Sequence, residues 1–326
     1  MELINLIGPV FALIVTGYLF SLTGVFGEDT AEELVKFAVY VLIPALMFYL
    51  IGQEDAKSLL NAGFYLAYGL PVLLVFALLF FALQRRLGWN SGEAAIVAFA
   101  SVASNTGFVA LPILHSLFGQ KGALPAALAN LVMVILVFLL SILLETAAAR
   151  EKSEEPAWGP RSSGAGIGHL AWNVVKNPIV LGTLAGIAYA FTGLGFAPVV
   201  TDYLDLLAGG LTPVALFAIG LSTGMGAILR SGPLIGAVAL IKLVLLPGLI
   251  LAAARLVGLD PLWTVAAVVS AAVPTAKNAF LLAEHYKRNK DLAAHTISVT
   301  TLLSIASLIA WLLLLSRLYP GTFQLN

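Results

Sequence analysis

Cysteine is absent from the sequence, which excludes disulfides, thiolate catalysis and cysteine-ligated metal sites. Charge is scarce as well: 10% of the 326 residues are charged, 60% are hydrophobic, and the formal net charge is zero. A balanced chain without a basic stripe offers a nucleic acid no electrostatic footprint, so no nucleic-acid partner is expected. Carboxylates are missing from the middle of every long apolar run, and neither HExxH nor GxSxG occurs. Those absences argue against an intramembrane protease or lipid-modifying enzyme, so the expectation is no enzyme, no cofactor and no metal. What is plentiful is apolar sequence, with a mean hydropathy of +0.99, beyond the range of ordinary soluble domains.

A helix rises about 1.5 Å per residue, so roughly 20 apolar residues cross about 30 Å of hydrocarbon. Ten segments pass that test: 4–23, 30–51, 61–84, 93–117 and 122–147, then 173–193, 203–225, 232–257, 262–286 and 292–317. The first has no Lys or Arg before it and reads as a spanning helix, not a secretory signal. Between the two sets of five, Arg150 to Gly168 is rich in charge, Ser, Gly and Pro and reads as a polar linker. Eleven Lys and Arg fall on the linker side, among them Arg85, Arg86, Arg150, Lys152 and Arg161. Four fall on the other: Lys57, Lys121, Arg255 and Arg317. Cytoplasmic loops carry the excess, which predicts a cytoplasmic linker and both termini outside.

The chain also repeats itself. Pro9, Gly17, Thr23 and Gly24 recur as Pro178, Gly186, Thr192 and Gly193, and Pro44, Phe48, Ser101, Thr106 and Lys121 recur as Pro213, Phe217, Ser270, Thr275 and Lys290, always 169 residues apart. Five spans per copy force the second copy to enter the membrane from the opposite side. The predicted fold is therefore an all-α membrane protein of ten transmembrane helices, arranged as two inverted five-helix repeats. The first repeat is 1–149, the cytoplasmic linker 150–172 and the second repeat 173–326.

The fourth and ninth spans carry the chemistry. The fourth holds Ser101, Ser104, Asn105, Thr106, Gly107 and Pro112 in its middle, and the ninth holds Ser270, Pro274, Thr275, Lys277 and Asn278 at the corresponding depth. Pro removes a backbone donor, Gly adds freedom and Asn competes for backbone bonds, so both helices should break at mid-membrane. Unwound backbone at that depth is tolerated inside protein or along a wet cavity, which predicts that the two breaks face each other and cross. Gly107, Pro112 and Pro274 are the crossover residues. Half-helix N-termini at such a crossing attract anions.

Lys277, an ammonium at mid-membrane, needs a partner or a task. It either forms a pocket for a carboxylate with Asn105, Thr106, Thr275 and Asn278, or neutralises the C-terminal ends of the half-helices as a resident cation. Lys242 is expected to bond carbonyls freed by Pro247 or to pack within the bundle, with substrate contact as the alternative. His115, Glu284 and His285 follow the breaks by ten to twelve residues and are candidates for proton coupling, against the plainer reading that they end a span at the headgroups. His295 and the run Thr296, Thr300, Ser304 and Ser307 either line the transported block or bond neighbouring helices.

SNTGFVALPIL from Ser104 to Leu114, TPVALFAIGLSTG from Thr212 to Gly224 and AVPTAKNAFLLAEHY from Ala272 to Tyr286 resemble the auxin efflux carrier family. That family includes the plant PIN-formed auxin exporters and bacterial permeases for malate, malonate and similar acids. The resemblance implies the inverted repeat of bile-acid symporters and sodium/proton antiporters. It implies a scaffold (4–51 with 173–225) that often forms homodimers and a transport block (61–149 with 232–318) that moves like an elevator. It also implies that Asn105 meets a substrate carboxylate, with Pro112 and Pro274 at the family's helix-four and crossing positions. Where this chain has Lys277 and Asn278 the plant exporters are apolar, which points to an anion smaller or more charged than auxin. The short linker gives no basis for phosphorylation control.

The expected function is secondary transport of a small organic anion, a carboxylate, across the plasma (inner) membrane, with lipid and the substrate as partners. A sodium-coupled symporter of the bile-acid type, a cation/proton antiporter and a passive channel are the alternatives.

Overall fold

A computed structural model describes residues 2–26, 28–54, 58–153, 176, 178–222 and 232–323. Most of the predicted linker and the end of the seventh predicted span, 223–225, lie outside these residues. Helices account for nearly all of what is described: α1 Glu2–Thr23, α2 Glu28–Phe37, α3 Ile43–Gly52, α4 Ala62–Phe64, α5 Leu70–Leu87, α6 Ser91–Val102 and α7 Leu111–Ser153. They continue as α8 Pro178–Ala190, α9 Pro198–Leu221, α10 Pro233–Leu240, α11 Leu246–Leu256, α12 Pro261–Ala272, α13 Asn278–His285 and α14 Lys290–Leu318. Among the described residues there is no strand.

Among the described residues six helical stretches are long and apolar enough to cross a membrane: Asp29–Gly52, Ala62–Leu87, Thr106–Leu144, Pro198–Leu221, Pro233–Leu256 and Lys290–Leu318. Four shorter apolar helices, Gly8–Thr23, Ser91–Val102, Pro178–Ala190 and Pro261–Ala272, occupy the other predicted spans. The 39-residue stretch Thr106–Leu144 exceeds one crossing. Gly119 interrupts it at φ 60° and ψ −148°, a conformation that only glycine adopts without strain, so the chain turns there between the predicted fourth and fifth spans. Three boundaries differ from expectation: the sixth predicted span opens as a helix at Pro178, not 173, with 173–175 and 177 outside the described residues. α7 stays helical to Ser153 instead of ending at 147, and α9 starts at Pro198, five residues before the predicted 203, because Pro198 follows an extended Ala197 and opens a helix well.

Prolines shape the long helices in a regular way. Four π-helical turns, Ala38–Leu42, Tyr65–Gly69, Thr106–Ala110 and Ile241–Leu245, each end two residues before a proline, at Pro44, Pro71, Pro112 and Pro247. Proline has no N–H and its ring clashes with the carbonyl four residues back; the wider turn moves that carbonyl aside without ending the helix.

Two tight helix pairs frame the molecule. α1 lies on α9 so closely that a Cβ on Gly17 would stand 2.2 Å from the Phe217 carbonyl oxygen, and one on Gly220 would stand 2.1 Å from that of Ile14. α8 lies on α3 in the same manner, with Gly186 against Ile51. A shift of 169 residues maps Gly17 with Gly220 onto Gly186 with Ile51. The shorter helices α6 and α12 form the centre: Ala94 to Val102 and Thr264 to Val273 are all buried. Side chains such as Leu19, Tyr40, Leu78 and Leu206 are exposed around the periphery, as a lipid solvent allows.

Candidate functional site

α6 ends at Val102 and α12 at Ala272, and both chains then run extended. Val273 at φ −67° and ψ 159° is the residue before Pro274, where ring sterics disfavour helix. The two extended pieces meet as an isolated antiparallel bridge between Ser104 and Thr275. Asn105 N donates to the Pro274 carbonyl at 3.0 Å, and Ala276 N donates to the Ala103 carbonyl at 3.0 Å. Backbone groups that helix interruption leaves free are thus paired with the other interruption, as they must be where water is absent.

Each break is also tied to a neighbouring helix. The Thr106 hydroxyl donates to Asn130 Oδ1 at 3.0 Å, with both residues buried. Thr275 N donates to Thr300 Oγ1 at 3.1 Å, and the Thr275 hydroxyl donates to the Ala100 carbonyl at 2.9 Å. These threonines, expected to contact substrate, have their hydroxyls bonded within the frame. Ser307 and Trp311 of α14 both donate to the Leu243 carbonyl in the π turn ahead of Pro247, at 2.8 and 2.9 Å.

The resident-cation role considered for Lys277 belongs to Lys242. Fully buried in the π turn Ile241–Leu245, Lys242 donates from Nζ to the carbonyls of Ala271 and Val273, the latter at 2.7 Å. These are the terminal carbonyls of α12, not those freed by Pro247. An ammonium suits the partial negative charge of a helix C-terminus. Its hydrogen-bond partners among the described residues are carbonyls and not a carboxylate.

Two cavities flank the crossing. The larger, about 500 Å³, is bordered by Asn105, Pro274, Thr275 and Lys277, with Ser298 and Thr301 of α14 and Val35, Ile219 and Ser222 from the framing helices. The smaller, about 150 Å³, takes in Asn105, Thr106, Gly107, Lys277, Asn278 and Asn130. Asn105 and Lys277 therefore face both. Lys277 stands just before α13. Pro112 borders neither cavity; its carbonyl accepts from Thr212 of α9 at 3.2 Å. Asn130, Ser222, Ser298 and Thr301 are lining polar residues that sequence reading did not single out; for Asn130 an Asn inside an apolar helix was the available signal.

The three proton-coupling candidates are not brought together. His115 is half-buried in α7, within the field of Asp205 of α9. Glu284 borders an open surface hollow with Lys287, Lys290 and Asp291, and His285 packs its ring edge-on to Tyr286 at 4.8 Å. Among the described residues no group of three or more His, Asp or Glu side chains is arranged to hold a metal ion.

The geometry combines a polar, cation-bearing crossing with a cavity of small-molecule size inside an apolar helical body. Comparison with known proteins agrees with it. The profile of the family described as "Membrane transport protein" matches residues 3–312. A protein of Rhizobium meliloti (strain 1021) named "Putative malonate transporter" is 33% identical over 318 residues, covering 96% of each chain. An "Uncharacterized transporter" of Methanothermobacter thermautotrophicus is 23% identical, covering 93% of this chain and 95% of its own. "Auxin efflux carrier component 8" of Arabidopsis thaliana is 23% identical, covering 89% of this chain and 90% of its own.

Proposed function

Since the chain belongs to the membrane transport protein family, an integral membrane group, we propose that it is a secondary carrier of a short organic carboxylate of the malonate class. The observation that carries this reading is the pair of interrupted helices whose joined gap presents Asn105 and Lys277 to a cavity of about 500 Å³. One carboxylate on the Lys277 ammonium, with the Asn105 amide alongside, makes charge-assisted hydrogen bonds in the cavity. No covalent step is involved.

Transport then requires the site to face each side in turn. In this proposal α1 to α3 with α8 and α9 (4–51 and 173–225) form a static scaffold, held by the backbone contact of Gly17 and Gly220. The remaining helices (61–149 and 232–318) form a block that carries the crossing past it as an elevator, with ten spans in two inverted repeats. The matching of Gly17·Gly220 with Gly186·Ile51 under the 169-residue shift supports that symmetry. Scaffold faces offer the surface for a homodimer, and the protein sits in the plasma (inner) membrane with its termini outside.

Lys242 bears on coupling. It already neutralises the α12 carbonyls that a bound cation would otherwise hold, which favours a sodium-independent carrier over a bile-acid-type symporter. Uptake of labelled malonate into proteoliposomes is the test. Saturable uptake that is unchanged when sodium is replaced by potassium supports the reading. Uptake that collapses without sodium would establish the symporter, and proton flux driven by sodium without any organic acid would establish an antiporter.

A further inference from the structure

A polar cluster lies far from both cavities. Tyr49 at the end of α3 donates its hydroxyl to Asp205 Oδ2 of α9 at 3.3 Å. Gln120, one residue past the Gly119 turn, donates from Nε2 to the Tyr49 hydroxyl at 3.2 Å and to Asp205 Oδ1 at 3.4 Å. Gln53 donates in turn to Gln120 Oε1 at 3.1 Å. Tyr49 and Asp205 belong to the proposed scaffold, with Gln53 just past its α3 end, whereas Gln120 belongs to the proposed block. A little deeper, Thr212 of the scaffold bonds the Pro112 carbonyl of the block at 3.2 Å. Four side-chain hydrogen bonds thus join the two groups at this end.

At the other end the same helices stand apart. Val35, Ile219 and Ser222 of the scaffold face Asn105, Lys277 and Ser298 of the block across the larger cavity. Tyr49 is fourteen residues along from Val35, about 21 Å, and Asp205 is seventeen from Ser222, about 25 Å at helical rise. One pair of helices is therefore bonded to the block at one end and parted from it at the other. That is the geometry of a carrier resting in one of its two end states.

The two sides of the cluster are built differently. Tyr49 is 3% exposed and its ring packs on Phe196, which stacks on Tyr189 at 4.4 Å and meets Phe48 at 5.3 Å. Tyr49 is thus held in place, with Asp205 exposed beside it. Gln120 is exposed, so water can replace its bonds when it leaves.

We propose that Asp205 with Tyr49 is the catch, and Gln120 the bolt, of a closure that seals the passage at the end remote from the cavity and that must open in every transport cycle. This rests on the moving-block reading, and the experiment separates the two. The chain has no native cysteine, so introduced thiols are unique. In the first arm, Gln120→Cys with Asp205→Cys is joined by a short bis-thiosulfonate, and malonate counterflow is measured before and after reduction. A loss of at least tenfold, restored by reductant, is expected. In the second arm, which needs no substrate, Ala208→Cys reports on the interface. Ala208 is 2% exposed and lies on the α9 face between Asp205 and Thr212. Adding Gln120→Ala, or Asp205→Asn, should speed its labelling by a water-soluble maleimide at least fivefold with the melting temperature unchanged. An unchanged labelling rate overturns the closure even if the cross-link inhibits. Full counterflow in the cross-linked protein overturns the moving block and the closure with it.

Discussion

Lys277 and Lys242 are both amines at membrane depth, and the fold gives them opposite surroundings: Lys277 faces two cavities, whereas Lys242 is sealed against carbonyls. Removing each should have a different signature. Hydrogen bonds to charged groups contribute about 1.5–3 kcal/mol, so Lys277→Ala should weaken malonate binding by roughly 10- to 100-fold, with the melting temperature of the unliganded protein little changed. Lys242→Met should do the reverse. It leaves two buried carbonyls unsatisfied, at about 1–3 kcal/mol each, and should lower the melting temperature by several degrees whether or not ligand is present. Thermal unfolding with and without malonate reads both effects, since a ligand that binds only the native state raises the midpoint. Sequence alone marked both lysines as needing a task and expected Lys242 to bond carbonyls, but placed those carbonyls beside Pro247 instead of at the end of α12. Lys242 is some 30 residues from the carbonyls it holds, and residue spacing does not reveal which amine a tertiary crossing brings within reach. Tyr49, Gln120 and Asp205 escaped notice for a related reason, because polar residues near span ends are ordinary until the fold places them on each other.

At the scale of helices, the breaks were the most legible feature. A polar run with Pro or Gly inside an apolar segment has few structural solutions in lipid, and Ser104 to Gly107 and Pro274 to Asn278 take the expected one. The π turns were not legible, since a proline within a helix predicts a distortion without specifying its form. Pro274→Ala restores an N–H and relieves Val273 of its extended preference, so it should favour continuing α12 and lower malonate uptake at least tenfold. A purified variant that transports normally would show that the proline is dispensable to the crossing. Gly17→Leu tests the scaffold. Its side chain would collide with the Phe217 carbonyl, forcing α1 off α9 at a cost of about 1–3 kcal/mol, which a fall in the melting temperature would register.

For the whole molecule, the 169-residue repeat and apolar composition were sufficient to anticipate an all-helical membrane protein. They could not show which helices pack on which, since contacts such as α1 on α9 and α3 on α8 do not follow chain order. With Lys242 on the α12 carbonyls that a cation would otherwise hold, malonate uptake should be the same in sodium and potassium media. The central claim, that the joined gap of the two interrupted helices is the anion site, is tested most directly by titrating malonate calorimetrically against the purified protein and against Lys277→Ala and Lys277→Arg. One saturable site in the native protein, weakened roughly 10- to 100-fold in the alanine variant and retained within a few-fold in the arginine variant, is the predicted result. Equal affinity in all three proteins would contradict it.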